Sequence, residues 1–150
     1  MDNELRQAAV AALGALGRSH DYRDRADAGQ GLAGFAELPE AVGPLLELVL
    51  DRGDTFVTRQ TVRALLRRKD QAGLAVVASA LAVADENHAD WIHTAVDDVF
   101  GVFADDRDAA MRLCEEISRD AVGDGPARAA RQLHLILAEI DPVLGPARHP

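Results

Sequence analysis

Small and apolar residues recur every 34 positions along this chain, in two phases. The first phase contains three series: Ala8, Val42, Val76 and Ala110; Ala12, Leu46, Ala80 and Cys114; and Ala15, Val49, Val83 and Ile117. The second phase contains two series: Ala28, Val62, Val96 and Ala130; and Leu32, Leu66, Phe100 and His134. A fixed period of this length is typical of stacked supersecondary units. The pattern predicts that these positions are interior, with His134 half exposed in the last helix.

Turn residues divide the periodic segments into eight predicted helices, and no segment alternates as a strand does. The predicted helices cover Asn3 to Arg18, Tyr22 to Phe35, Pro39 to Leu50, the residues after Asp54 to Arg68, Asp70 to Ala84, Ala89 to Phe103, Asp106 to Ala121, and Pro126 to Ile140. An amphipathic helix cannot bury its apolar stripe alone, so stacked antiparallel pairs are expected. The prediction is an all-α solenoid, with one domain over residues 1–140 and a flexible Pro-rich tail over 141–150.

Two segments carry a resemblance to a known repeat family. Tyr22–Phe35 (YRDRADAGQGLAGF) resembles one helix of a HEAT repeat, and Asp54–Leu65 (DTFVTRQTVRAL) resembles the family's turn Asp followed by Val, Arg, small residues and Leu. The pattern spreads over most of residues 21–120 and is similar to small bacterial repeats of the phycobilin-lyase type. It implies a short right-handed ARM/HEAT-like superhelix with no shared catalytic residue. The tetratricopeptide repeat has the same period, but its Trp, Leu-Gly, Tyr and Pro positions are not reproduced.

Charge is distributed unevenly between the two halves of the chain. An apolar fraction of 48% excludes a disordered composition, and the net charge is −9. Residues 1–69 hold ten basic and ten acidic side chains, whereas residues 70–150 hold six basic and fifteen acidic ones. Nucleic acid is therefore not the expected partner, since its affinity depends on phosphate neutralisation. The acidic half favours a basic protein or peptide, or serves only solubility.

The sequence also predicts the cellular location of the protein. Asp2, Glu4 and Arg6 interrupt any apolar N-terminal stretch, and no run of 18 apolar residues occurs. The single Cys114 cannot form an internal disulfide and is expected to be a buried, unreactive thiol. We therefore expect a cytoplasmic protein that does not bind membranes, either a monomer or a weak homo-oligomer.

The sixth predicted helix holds the densest chemistry: His88, Asp90, Trp91, His93, Asp97 and Asp98. His93 and Asp97 are four residues apart and share a face, and His88, placed just before the helix, has room to join them. Metal binding needs a further converging ligand that no motif supplies. We therefore predict no metal, cofactor or catalytic residue. The alternative is a HEAT-like enzyme or carrier that handles a small molecule or metal through His88, His93 and Asp97.

A structural interpretation of the same residues rests on their phase. His93 is in phase with Arg25 and Arg59, and such residues form ladders with turn aspartates in stacks of this kind, here Asp51, Asp54 and Asp85.

Two further features belong to neighbouring helices. Arg59, Arg63 and Arg67 share one face of the fourth helix and suit an acidic peptide, a phosphate or self-association. Asp105, Asp106 and Asp108 are predicted to cap the seventh helix.

The predicted function is a non-enzymatic adaptor or scaffold that binds a protein or peptide on its repeat face. Trp91 is the only tryptophan, and aromatic anchors with a polar rim are typical of protein interfaces. A preformed helical surface limits the ordering cost of binding. The predicted partner-binding residues are Trp91, His93, Asp90, Asp97, Asp98, Arg59 and Arg63.

Overall fold

The computed structural model describes residues 2–145, which form eight α-helices and no β-strand beyond one isolated bridge. The helices are α1 (Asn3–Leu16), α2 (Tyr22–Ala33), α3 (Pro39–Val49), α4 (Thr55–Arg67), α5 (Gln71–Val83), α6 (Glu86–Phe100), α7 (Ala104–Asp120) and α8 (Asp124–Glu139). The predicted all-helical class is confirmed, with each helix close to its predicted position.

Aspartates begin five of the eight helices. The side chains of Asp2, Asp21, Asp54, Asp70 and Asp85 each accept a hydrogen bond from a backbone N–H in the first turn that follows. Such caps satisfy N–H groups that the helix itself leaves without a partner. A short polar residue after each turn therefore fixes where the next apolar stripe starts.

Three helix starts differ from the prediction by two or three residues, and of these α8 begins at Asp124 rather than Pro126. α6 begins at Glu86 rather than Ala89, because Asp85 caps it, and His88 therefore lies inside the helix. α7 begins after Phe103, which makes no side-chain cap. The predicted capping role of Asp105, Asp106 and Asp108 is therefore wrong. Asp105 and Asp106 instead occupy the first turn, where a carboxylate is favourable beside the helix N-terminus.

The even-numbered helices α2, α4 and α6 pack side by side in a row. Their shared interior positions are the second phase of the repeat: Ala28, Val62 and Val96 are fully buried, and Ala130 of α8 is buried too. The helices approach closely, since a Cβ on Gly29 of α2 would lie 2.0 Å from Thr61 Oγ1 of α4. This phase of the 34-residue pattern was predicted correctly.

The first phase is only partly interior. Val76, Ala80, Ala110 and Cys114 are buried, as predicted, and Val49 is fully buried. The prediction is wrong for Val83, which is 72% exposed as the last residue of α5. It is also wrong for Ala8, Ala12 and Ala15, because α1 begins the stack and has a neighbour on one side only.

The last helix departs from a regular solenoid. In a regular stack α8 would lie along α6, as α6 lies along α4. Instead α8 packs mainly against α7 and α5 and makes only slight contact with α6. Its buried residues are Ala129, Ala130, Leu133 and Leu137. The row of even-numbered helices therefore ends at α6, whose far side has little cover from the described residues.

The chain after α8 returns to the turn between α6 and α7. The N–H of Val143 donates to Gly101 O at 3.0 Å, and that of Leu144 donates to Val102 O at 2.7 Å. Leu144 O in turn accepts from Ala104 N at 2.9 Å. Residues 141–145 of the predicted flexible tail thus include backbone groups with defined partners, while residues 146–150 lie outside the described residues.

Candidate interaction surface

Arg59, Trp91 and Asp98 meet between α4 and α6. Arg59 donates from Nε and Nη2 to the two carboxylate oxygens of Asp98, at 2.8 and 3.0 Å. Its guanidinium carbon lies 6.0 Å from the ring centroid of Trp91, within cation–π range. The hydrogen bonds that Arg59 donates to Asp98 raise the pKa of Arg59 above its usual value. Three of the predicted partner-binding residues are therefore brought together, as a fixed contact between two repeats.

Arg63 lies one turn further along α4 and extends this contact. Its Nε is 4.0 Å from Asp98 Oδ2. That nitrogen is buried and has no hydrogen-bond partner in the described structure. Two of the three arginines predicted on one face of α4 are thus directed at a carboxylate of the same chain, which leaves them less free for a phosphate or an acidic peptide.

His93 and Asp97 occupy on α6 the positions that Arg59 and Arg63 occupy on α4, one 34-residue period earlier. On α4 these positions face the next helix of the row. On α6 both side chains are exposed, because α8 does not lie there. Asp90 is exposed one turn before His93. Within residues 2–145, neither Asp90 nor Asp97 forms a salt bridge.

These three side chains form what we call the α6 edge: Asp90, His93 and Asp97. They recur at spacings of three and four residues, so they follow one line along the helix. The α6 edge lies next to the Arg59–Asp98 pair and Trp91, and Trp91 is half buried. The surface therefore combines a fixed aromatic and ionic contact with a row of three exposed polar side chains, two of which are acidic.

His88 belongs to a separate network beneath the surface. Its ring is buried, with Nε2 2.7 Å from the backbone oxygen of Asp51 and Nδ1 2.9 Å from Asp85 Oδ1. Because a carbonyl oxygen only accepts, Nε2 is the donor in the first bond. The Asp51 carboxylate binds Arg25 through both its oxygens, at 2.9 and 3.1 Å. A continuous chain of polar contacts thus joins α2, the α3–α4 turn and the start of α6.

Two ionisable groups of these contacts, Arg25 and Asp85, have shifted pKa values. The hydrogen bonds that Arg25 donates to Asp51 raise the pKa of Arg25 above its usual value. The backbone N–H of His88, with a further contribution from its ring, lowers the pKa of Asp85 below its usual value. Both shifts favour the charged forms, so these groups hold the turns together as ions.

The predicted ladder is therefore partly correct. Arg25 pairs with the turn residue Asp51, as predicted. Arg59 pairs with Asp98 of α6 instead of a turn aspartate, and His93 is exposed rather than in the ladder. His88, which was not part of the predicted ladder, contacts the same turn by donating to the backbone oxygen of Asp51. The sequence gives little signal for this link, because the residues are 37 apart and a carbonyl acceptor has no residue signature.

The alternative site made from His88, His93 and Asp97 is not assembled. His88 is buried and directed at Asp51 and Asp85, whereas His93 and Asp97 are exposed on the α6 edge. Among residues 2–145, no three His, Cys, Asp or Glu side chains are grouped so as to hold a metal ion. His88 therefore belongs to the buried polar network, whereas His93 and Asp97 belong to the exposed α6 edge.

An open cleft of about 430 Å³ borders His88 on its outer side. Leu50, Arg52, Val83, Asp85 and Asn87 complete its lining. Val83, the exposed last residue of α5, also lines this cleft. Since both ring nitrogens of His88 are engaged elsewhere, the ring contributes a wall rather than a reactive group.

No protein-family model, no curated protein and no solved structure matches this chain. None of the helices in the described part is long and apolar enough to cross a membrane.

Proposed function

We propose that this chain is a non-enzymatic, HEAT-like adaptor whose α6 edge binds a basic helical segment of a partner protein. The observation that carries the proposal is the row of even-numbered helices, which stops at α6. His93 and Asp97 occupy the positions through which α4 contacts its neighbour, yet no helix of the described chain covers them. A partner helix laid along α6 would extend the row by one member.

Charge supports a basic partner. Asp90 and Asp97 have no cationic partner in residues 2–145, and residues 70–150 carry the whole net charge of −9. Complementary charge raises the rate of encounter and selects against acidic partners. A helix with Lys or Arg at a spacing of seven residues, which is two helical turns, would place one cation at each aspartate. Nucleic acid does not suit this surface, because Arg59 and Arg63 are directed at Asp98.

Photo-crosslinking tests the proposal where the protein naturally occurs. A photo-reactive amino acid at position 93, on the α6 edge, is expected to crosslink one partner inside the cells that express the protein. The crosslinked peptide, identified by mass spectrometry, is expected to be rich in Lys or Arg. This experiment also tests the cytoplasmic location that we propose, since the partner's compartment becomes known.

Charge variants distinguish a specific surface from general acidity. Asp90→Asn with Asp97→Asn is expected to reduce crosslinking about tenfold, equivalent to about 1.4 kcal/mol. Asp120→Asn with Glu139→Gln removes the same charge at exposed positions elsewhere and is expected to leave it unchanged. Equal losses in the two double variants, or an acidic crosslinked peptide, would refute the proposal.

A further inference from the structure

A second concave region lies between α7 and α8. A cleft of about 360 Å³ is lined from α7 by Cys114, Glu115, Ser118 and Arg119, and from α8 by Arg131 and His134. A further depression of about 530 Å³ continues along α8. Since Arg131 and His134 border both, we treat them together as the α7–α8 cleft. Their volumes fall in the range of small-molecule sites.

The floor of the α7–α8 cleft is apolar. Cys114 is only 1% exposed, and burial raises the pKa of its thiol to about 12. The thiol is therefore neutral and acts as a small hydrophobic group rather than a nucleophile. Further along the cleft, Leu135 is 64% exposed, which leaves an apolar side chain uncovered beside the outer depression. An apolar ligand body would pass over the buried Cys114 and cover the exposed Leu135.

The rim of the cleft is cationic. Arg119, Arg128 and Arg131 are three of the six basic residues in the acidic half of the chain. Within residues 2–145 none of them forms a salt bridge, and Arg131 makes one long contact, 3.4 Å to Ser118 Oγ. The acidic group on the rim is Glu115, which lies 3.2 Å from His134 Nε2. Most of the guanidinium donors are thus left for a ligand.

We propose that the α7–α8 cleft binds a small amphiphilic carboxylate, such as a medium-chain fatty acid. The ligand's carboxylate pairs with Arg131, which stands at the junction of the two depressions, and Arg128 adds a second cation. The guanidinium fork matches a carboxylate in two parallel hydrogen bonds. The alkyl chain lies over Cys114 and Leu135. This site involves neither α4 nor α6, so its test is independent of the test of the adaptor proposal.

Calorimetric titration with decanoate, below the concentration at which it forms micelles, tests the proposal on the full chain. Saturable binding is expected, and backbone amide NMR shifts are expected to change along α7 and α8. Acetate supplies the charge alone and decyltrimethylammonium supplies the chain with the opposite charge. Both are expected to bind at least about tenfold more weakly, since each lacks one of the two complementary parts.

Matched variants locate the site. Arg128→Gln with Arg131→Gln is expected to raise the Kd for decanoate at least about tenfold, and Leu135→Gln is expected to weaken binding without changing stability. Arg112→Gln removes an exposed arginine of α7 outside the cleft and is expected to have no effect. The proposal is overturned if decanoate does not bind, if Arg112→Gln weakens binding equally, or if a glutamate-rich peptide binds there more tightly than decanoate.

Discussion

The row of α2, α4 and α6 and the terminal pair of α7 and α8 use the same 34-residue pattern with different results. In the row, each helix packs along the next through small interior residues, and polar side chains such as Arg59 and Asp98 connect the outer faces. In the terminal pair, α8 turns away from α6 and packs on α5 and α7. The difference shows that a repeat fixes which side of a helix is buried without fixing which neighbour buries it.

Leu133→Ala gives the strongest test of the terminal pair. Leu133 is fully buried in α8, so its truncation is expected to lower the free energy of unfolding by about 3 kcal/mol. Because α8 packs on α5, hydrogen exchange is expected to accelerate in α5 as well as in α7 and α8, and less in α2. Leu135→Ala, on the exposed face of the same helix, is expected to stay within about 0.5 kcal/mol of the wild type.

Unfolding in urea measures both free energies, and exchange mapped by mass spectrometry locates the change. If Leu133→Ala left exchange in α5 as slow as in the wild type, the packing of α8 on α5 would be wrong. If it accelerated exchange equally in α2, the two regions would unfold as a single unit and the contrast between them would be lost.

Gly29→Ala tests the close packing of the row. The new methyl group would lie 2.0 Å from Thr61 Oγ1, so α2 and α4 must separate or Thr61 must move. We expect a loss of about 2 kcal/mol in the free energy of unfolding, from overpacking. The Thr61 hydroxyl is buried without a hydrogen-bond partner in the described structure, so adding Thr61→Ala is expected to recover part of this loss.

Gly14→Ala is the matched control for that substitution. Gly14 lies inside α1, and apart from its own helix and chain neighbours nothing lies within 4 Å of an added Cβ. Alanine there is expected to raise the free energy of unfolding by about 0.5–1 kcal/mol, since it restricts the unfolded chain and favours the helix. Thermal unfolding compares the two. Equal effects of the two glycine substitutions would show that α2 and α4 do not approach as described.

The smallest expected effect concerns the polar contacts beneath the row. The pKa of Asp85 is lowered in the folded protein, so its carboxylate stabilises the fold above the usual value of 3.8 and loses that contribution as the pH falls through and below it. Asp85→Asn keeps a capping oxygen and removes the charge. Its melting temperature is expected to be lower than the wild type's at pH 7, by less than for Leu133→Ala or Gly29→Ala.

Thermal melts from pH 7 to pH 3 follow that difference. The gap between wild type and Asp85→Asn is expected to narrow as the pH falls towards the acid range. Asp2→Asn, which alters the cap of α1 without a histidine nearby, provides the comparison. A gap that stayed constant with pH would exclude an ionic role for Asp85 in holding His88.

Sequence patterns predicted the helices well because the relevant physics is local. The 34-residue period identified Ala28, Val62 and Val96 as interior, and turn aspartates such as Asp54 and Asp70 marked where helices begin. Both signals act within one turn or one helix face. The start of α6 was placed three residues late because the turn at Asp85 was extended too far, and His88 was consequently assigned to the wrong side of that boundary.

The candidate surface was harder to predict because it depends on distant contacts. The sequence predicts that Arg59 and Asp98 both lie at the surface. It does not predict that they pair with each other across 39 residues. The path of α8 was not predicted either, since Ala130 is buried whichever neighbour covers it. The α6 edge is exposed because α8 packs elsewhere, and the 34-residue period does not specify where α8 packs.

The packing of α8 on α5 has a consequence for synthesis of the protein on the ribosome. Residues 84–123 separate the two helices, so α5 emerges well before the helix that covers one of its sides. The contacts among α1 to α4 are closer in sequence and form earlier, because shorter loops close at lower entropic cost. The nascent chain therefore carries an apolar flank on α5 until α8 has been synthesised, and in that interval chaperones or aggregation compete for it.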